Sequence, residues 1–199
     1  MERQPAADYS HIIAVTNRHS FDGAEDPELA FLTRVREVLL LRPRALVLRE
    51  KDLPSSEYRA LAEKILPLCT GTALILHSFP QIAAELGLGL HLPLPLLKEL
   101  ATAGPALLKH FHTVGTSVHS EAEARLAYML GAGYCFAGNI FETSCKPDLP
   151  GRGTDFLRRI SSAVPIPVYG IGGIDETKIP LLLKNGAAGG CMMSGLFSR

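Results

Sequence analysis

Short apolar runs alternate with longer segments in which apolar residues recur at helical spacing along the whole chain. Runs of four to six residues, rich in Val, Ile, Leu and aromatic side chains, predict strands. The predicted strands cover residues 11–15, 45–49, 73–77, 89–92, 113–118, 134–138, 167–171 and 189–193. The intervening segments predict helices at about 28–42, 56–68, 80–86, 94–102, 121–131, 154–163 and 176–185, with a short last helix from 195.

Strands that alternate with helices predict a parallel sheet, because parallel strands need a crossover connection that is usually a helix. The fold expected from these units is α/β, a single compact (β/α)8 TIM barrel over residues 1–199, with an open doubly wound sheet as the alternative. A length of 199 residues favours one domain over two, although it lies at the lower size limit for such a barrel. Pro27 and Pro43 bracket the first helix, and Gly186 follows the last long one.

Composition narrows the class of protein. The chain has 20 basic and 20 acidic residues without a long run of one sign, so it carries no electrostatic footprint for nucleic acid or an anionic membrane surface. No apolar run approaches the roughly 20 residues of a membrane span, and the N-terminus lacks the apolar core of a signal peptide. Cys69, Cys135, Cys145 and Cys191 show neither metal-site spacing nor a disulfide framework. A cytoplasmic protein that binds a small molecule is predicted.

Glycine-rich motifs follow the last two predicted strands. The motif GIGGID spans 170–175, and MSGLF spans 193–197 beside the predicted short helix. In a parallel barrel the active site lies at the C-terminal ends of the strands, and a phosphate commonly binds after strands seven and eight. The position of both motifs favours phosphate binding over glycines that serve only tight turns.

Two cations follow the second strand. In LREKDL, Arg49 and Lys51 lie on the same side of an extended segment, because side chains alternate with a period of two. They suit a carboxylate or a second anion. The alternative is a surface pair neutralised by Glu50, Asp52 or Asp26.

Three histidines fall at predicted strand ends. His119 follows GTSV at the end of the fifth strand, where a side chain that titrates near neutrality can remove and return a proton. The alternative is a hydrogen-bonded histidine of the core or rim. His77 and His91 share the predicted mouth, but no carboxylate follows strand three or four, so a Mg²⁺ ion would lack oxygen ligands there. We therefore predict no metal site.

The motifs VTNR, LREK, GTSVHSEAEA, GNIFETSCKPDLPGRG, PVYGIGGI and NGAAGGCMMSGLF together resemble the thiamine phosphate synthase/TenI superfamily over nearly the whole chain. Synthases of this superfamily couple a pyrimidine diphosphate to a thiazole phosphate. They typically carry a glutamine at the position of Val47 and an Asn-Asp pair at the positions of His77 and Ser78. They also carry an aspartate in the region that here reads HLPLPL. With those residues missing, the chain is more similar to the TenI-type thiazole tautomerases.

That resemblance implies an isomerase of thiamine biosynthesis. Such enzymes aromatise a carboxythiazole phosphate tautomer by moving a proton from ring C2 to an exocyclic carbon, without a cofactor. The resemblance assigns this proton transfer to His119. The residues found at the strand ends then fit the rest of this substrate. The glycine-rich motifs would hold the phosphate (Gly172, Gly173, Ser194 and Gly195), and Arg49, Lys51 or Lys146 would neutralise the carboxylate. The resemblance further implies that Thr143 orients the ring.

Other functions remain open at this point. The chain is also compatible with a thiamine phosphate synthase that has rebuilt its diphosphate site from other residues. A third reading is a non-catalytic regulatory or ligand-binding TenI-like protein, although no DNA-binding motif supports operator binding. The resemblance to the family also implies a homodimer.

Overall fold

A closed barrel of eight parallel strands forms the centre of the protein. The computed structural model describes residues 8–143 and 149–198. Every strand pairs with its neighbours in chain order, and the first strand pairs with the last. The strands are β1 (Ile12–Val15), β2 (Ala45–Leu48), β3 (Ala73–His77), β4 (Gly89–Pro93), β5 (Val114–Val118), β6 (Tyr134–Gly138), β7 (Val168–Ile171) and β8 (Gly189–Met192). The predicted (β/α)8 barrel is confirmed, and the doubly wound alternative is wrong.

Helices surround the barrel. They are α1 (Pro27–Leu40), α2 (Ser55–Ile65), α3 (Pro80–Glu85), α4 (Leu94–Ala103), α5 (Pro105–Leu108), α6 (Glu121–Met129), α7 (Gly153–Ala163), α8 (Ile179–Lys184) and α9 (Ser194–Phe197). Short 3-10 helices lie at Tyr9–His11, Arg18–Phe21, Leu66–Leu68 and Glu176–Lys178. Among the described residues, no helix is long and apolar enough to cross a membrane.

Prolines explain two differences from the predicted helices. The helix predicted to reach residue 68 ends at Ile65 and continues as the 3-10 turn Leu66–Leu68. Pro67 lies in that turn, where its ring and missing N–H are incompatible with an α-helix interior. Pro180 lies at the start of α8, so the preceding residues Glu176–Lys178 form a 3-10 turn. The short helix α5 was not predicted.

Two apolar layers result from the alternation of side chains along the strands. Ile12 and Ala14 of β1 pack outward against the helices, whereas Ile13 and Val15 point into the barrel. The inner layer also contains Val47, Ile75, Tyr134, Phe136, Tyr169 and Cys191. Because this layer fills the barrel, a ligand has access only from the ends of the strands.

Candidate active site

A cavity of about 340 Å³ opens at the C-terminal ends of the strands. It brings together most of the predicted site, namely Arg49, Lys51, His119, Thr143, Gly172, Gly173 and Ser194. Gly195 follows in α9 but does not line the cavity, and Lys146 lies outside the described residues. A second cavity of about 390 Å³ lies outside the barrel, between α1 and α2, and contains none of the predicted site residues.

His119 lies at the rim of the mouth cavity with an exposed side chain. Its Nδ1 is 2.8 Å from the carbonyl oxygen of Gly138. A carbonyl oxygen only accepts hydrogen bonds, so Nδ1 carries the hydrogen and the lone pair of the neutral ring lies on Nε2. The alternative to catalysis was a hydrogen-bonded histidine of the core or rim. The exposed position excludes the core but agrees with the rim, so catalysis by His119 stays a prediction.

The backbone around His119 is also held in place. Its N–H donates to Glu123 Oε2 at 2.6 Å, and the Arg152 guanidinium donates to its carbonyl oxygen. Ser120 caps α6 by accepting a hydrogen bond from the Glu123 N–H at 3.1 Å. The helix start therefore fixes the position from which the imidazole reaches the cavity.

Gly138 and Asn139, which join β6 to the following loop, were missed as individual site residues. A Cβ atom at Gly138 would lie 2.4 Å from Ile171 Cγ2, so the carbonyl that accepts from His119 belongs to a residue without room for a side chain. Asn139 lines the cavity and is buried, and its Nδ2 donates to the Leu149 carbonyl oxygen at 3.2 Å. The signal in the sequence was their position directly at the end of a predicted strand.

The carboxylates near Arg49 are engaged elsewhere. Glu50 is buried, where its Oε1 accepts from Thr16 Oγ1 at 2.5 Å and from the Arg18 N–H at 3.2 Å. Asp52 pairs with the Arg18 guanidinium. Within the described residues, neither of these carboxylates pairs with Arg49, which lines the cavity.

Asp26 is also accounted for, because it caps α1 by accepting from the Leu29 N–H at 3.0 Å. The alternative in which Glu50, Asp52 or Asp26 neutralises the pair of cations therefore does not hold for Arg49 in the described part of the chain, and its role in binding an anion stays a prediction. The Arg49 N–H donates to Thr16 Oγ1 at 2.9 Å, which links its backbone to the buried Glu50. Burial raises the pKa of Glu50, and the hydrogen bond from Thr16 opposes that rise.

His77 and His91 form a buried polar layer below the mouth. His77 lines the cavity, and burial lowers its pKa to about 3, with Lys51 and Arg49 adding to the effect. His91 is fully buried, with Nδ1 3.2 Å from Tyr134 Oη and Nε2 3.0 Å from Ser117 Oγ. Burial holds its pKa well below the usual value, and nearby His77 contributes. Both rings are therefore neutral at pH 7.

The glycines after β7 are required by their backbone and by packing. Gly172 has φ +102° and Gly173 has φ +64°, a region that favours glycine. A Cβ at Gly172 would lie 2.6 Å from Asn139 Cβ. Packing alone therefore explains these residues. Because they also line the cavity beside Ser194, phosphate binding stays a prediction.

The residues that the structure describes do not fit the Mg²⁺-diphosphate site that the synthase branch of the family implies. Mg²⁺ prefers oxygen ligands and is usually held by carboxylates. In the described part of the chain, no carboxylate lines the mouth cavity. No three His, Cys, Asp or Glu side chains gather there as a potential metal site either. The positions that resemble the family's Asn-Asp pair carry His77 and Ser78.

Comparison with known proteins places this barrel in a family. A family model described as thiamine monophosphate synthase matches residues 12–196. The chain belongs to that family. A thiamine-phosphate synthase of Roseiflexus castenholzii is 34% identical over 161 residues, which cover 76% of this chain and 68% of the relative. One from Syntrophomonas wolfei is 29% identical over 199 residues, covering 96% of this chain and 89% of the relative.

A solved structure gives the same assignment. Thiamine phosphate pyrophosphorylase from Pyrococcus furiosus superposes with a TM-score of 0.69 at 25% identity, over 94% of this chain and 87% of that protein. The predicted resemblance to the superfamily is confirmed. These relatives carry synthase or pyrophosphorylase names, so membership alone favours the synthase reaction over the tautomerase reaction.

Proposed function

We propose that this family member acts on a thiazole phosphate in thiamine biosynthesis, as a tautomerase in which His119 transfers the proton. The observation that carries the proposal is the hydrogen bond between His119 Nδ1 and the Gly138 carbonyl, at 2.8 Å. It leaves the Nε2 lone pair as the basic site of an exposed ring at the cavity rim. General acid-base catalysis requires a positioned group of this kind.

The proposed reaction is a balanced proton transfer within one molecule. Nε2 of His119 takes the proton from ring C2, and the electrons of the broken C–H bond enter the conjugated system. The exocyclic carbon then forms a new C–H bond with the proton that Nε2 returns. The ring becomes aromatic and His119 regains its neutral form, so the step needs no oxidant, reductant or second substrate.

Two other groups of residues would hold the substrate during this transfer. Gly172, Gly173 and Ser194 line one side of the cavity and would bind the phosphate, with Gly195 adjacent in α9. Arg49 lines the cavity without a carboxylate partner among the described residues. It would attract the substrate carboxylate and stabilise the negative charge that spreads into it as the C2 proton leaves.

Lys51 and Thr143 also line the cavity, so they stay in the proposal as contacts to the carboxylate and the ring. The assignment of Lys146 lies outside the described residues and remains a prediction from the resemblance. The homodimer implied by the family also remains a prediction, which light scattering coupled to size-exclusion chromatography measures.

Thiamine-phosphate synthesis is the second candidate, and the names of the relatives favour it. It would join the pyrimidine to the thiazole nitrogen and release pyrophosphate. The donor set of the mouth argues against it, because Mg²⁺ would find no carboxylate among the described lining residues. Both candidates bind a phosphorylated thiazole, but they differ in whether it is the carboxylated tautomer and in the reaction that follows.

A single pair of assays separates them. Purified protein is given the carboxythiazole phosphate tautomer in the presence of a chelator, and aromatisation is followed by absorbance. In parallel it is given thiazole phosphate and pyrimidine diphosphate with Mg²⁺, and pyrophosphate release is measured. Aromatisation that survives chelation supports the tautomerase. Pyrophosphate release without aromatisation supports the synthase, and no rate above buffer in either assay favours a non-catalytic role.

A further inference from the structure

The order of the strands places the polar groups of the mouth around a circle. In a closed eight-stranded barrel with strands in chain order, β3 lies opposite β7 and β5 lies midway between them. His77 ends β3, Gly172 and Gly173 follow β7, and His119 follows β5. A ligand with its phosphate at Gly172 and Gly173 that crosses the mouth on the side of β5 would pass His119 and approach His77.

Only one of the two ring nitrogens of His77 makes a hydrogen bond with the described residues. Its Nδ1 lies 2.8 Å from Ser78 Oγ, and its ring stacks on His91 with centroids 5.7 Å apart. Its backbone N–H donates to Tyr58 Oη at 3.0 Å. Within the described residues, Nε2 makes no hydrogen bond, and His77 is among the residues that line the cavity. This arrangement fixes the ring and leaves one polar atom for a ligand.

Ser78 occupies an unusual backbone position to make this contact. It has φ +68°, a conformation that serine rarely adopts, and its N–H donates to the His91 carbonyl oxygen at 3.0 Å. When the Ser78 hydroxyl donates to Nδ1, the hydrogen of the neutral ring lies on Nε2. Burial and the charges of Lys51 and Arg49 keep that ring neutral. His77 then presents an N–H donor in the same cavity as the cations Arg49 and Lys51, which suits an anionic acceptor.

We infer that His77, positioned by Ser78, binds the carboxylate end of the substrate and makes the site selective for carboxylated thiazole phosphates. The inference rests on the proposed function for its substrate class and for the side on which the phosphate binds. It goes further by assigning a specific role to a residue at which the chain departs from its family's pattern. Because Nε2–H would donate to a charged carboxylate, its loss should weaken binding of the carboxylated ligand more than binding of the same ligand without the carboxylate.

The test compares two ligands by isothermal titration calorimetry. The probes are the aromatic carboxythiazole phosphate and the corresponding thiazole phosphate that lacks the carboxylate. We expect wild type to prefer the carboxylated ligand. We expect the ratio of the two dissociation constants to fall by about 10- to 100-fold in His77→Phe, which keeps a ring but loses the hydrogen bond. His110→Phe is the matched control, because His110 is exposed, lies between α5 and β5 and does not line the mouth cavity, and its ratio should equal that of wild type.

Ser78→Gly gives an independent test if His77→Phe does not fold. Glycine is favoured at φ +68°, so this variant should fold at least as stably as wild type while it releases Nδ1 of His77. In Ser78→Gly we expect the ratio of the two dissociation constants to fall, but by less than in His77→Phe. An unchanged ratio in folded His77→Phe, or in Ser78→Gly where the first variant is unfolded, would overturn the inference, as would a wild-type protein without preference.

Failure of the inference is distinguishable from failure of the proposed function. A wild-type protein that prefers the carboxylated ligand through His77 but does not aromatise the tautomer would contradict the tautomerase and leave the inference intact. A protein that aromatises the tautomer with an unchanged ligand ratio in folded His77→Phe would do the reverse.

Discussion

The imidazole of His119 and the carbonyl of Gly138 form a 2.8 Å hydrogen bond between the residue after β5 and the last residue of β6. Two adjacent strands thus determine which ring nitrogen carries the hydrogen. The acceptor belongs to the backbone, so a side-chain substitution at Gly138 cannot remove it directly, and the tautomer is set by the fold itself.

Removal of the imidazole is the first prediction. We expect His119→Ala to lower kcat for aromatisation by about 10²- to 10⁴-fold, the usual contribution of a general acid-base group, with little change in KM. Steady-state kinetics on the tautomer measure both constants. His110→Ala is the matched control and should retain the wild-type kcat. A kcat within a factor of three of wild type in His119→Ala would assign the proton transfer to another group.

Loss of the cation after β2 is the second prediction. Arg49→Met should lower kcat/KM for the carboxylated tautomer by about 10- to 100-fold, because a charged hydrogen bond to the carboxylate disappears. Arg49→Lys should recover only part of this loss, since lysine keeps the charge but not the planar fork. Arg36→Met, in an exposed position on α1, serves as the control. Equal losses in Arg49→Met and Arg36→Met would contradict a role for Arg49 at the site.

Ser194 tests the side predicted to bind phosphate. Ser194→Ala should raise KM for the phosphorylated substrate by about 10- to 100-fold, consistent with one lost hydrogen bond to a charged group. It should leave KM for the corresponding unphosphorylated alcohol unchanged, because that substrate has no phosphate to bind. The exposed Ser162→Ala provides the comparison. A similar rise in KM for both substrates would indicate a general disturbance of the cavity and no phosphate contact.

The alternation of apolar runs and helical segments was enough to predict the barrel. The strands of a parallel sheet are buried on both faces, so each strand is a nearly continuous apolar run in the sequence. The positions of His119, Arg49 and Gly172 at strand ends follow from the same pattern, since parallel strands place their C-terminal ends at one mouth. These residues could therefore be grouped before any contact was known.

Long-range contacts could not be read from the chain. Glu50 turns away from Arg49 because Thr16, 34 residues earlier, donates to it inside the protein. The pairing of His119 with Gly138 likewise depends on the register of β5 and β6, which the spacing of apolar residues does not specify. Both contacts change the interpretation of the site, the first by leaving Arg49 without a carboxylate partner in the described part of the chain and the second by fixing a tautomer.

The buried His77 ring makes folding stability depend on pH. The pKa of His77 is about 3 in the folded protein against an ordinary value of 6.5 for histidine, so the unfolded chain binds more protons below pH 6.5. The contribution of neutral His77 to the free energy of unfolding is fully present above pH 6.5 and is lost progressively as the pH falls toward 3. The loss between pH 7 and pH 5 is about 2 kcal/mol. Urea unfolding at the two pH values measures this difference. In His77→Phe the decrease should be smaller by that amount, whereas His110→Phe should behave as wild type; equal decreases in all three proteins would show that His77 does not stay neutral.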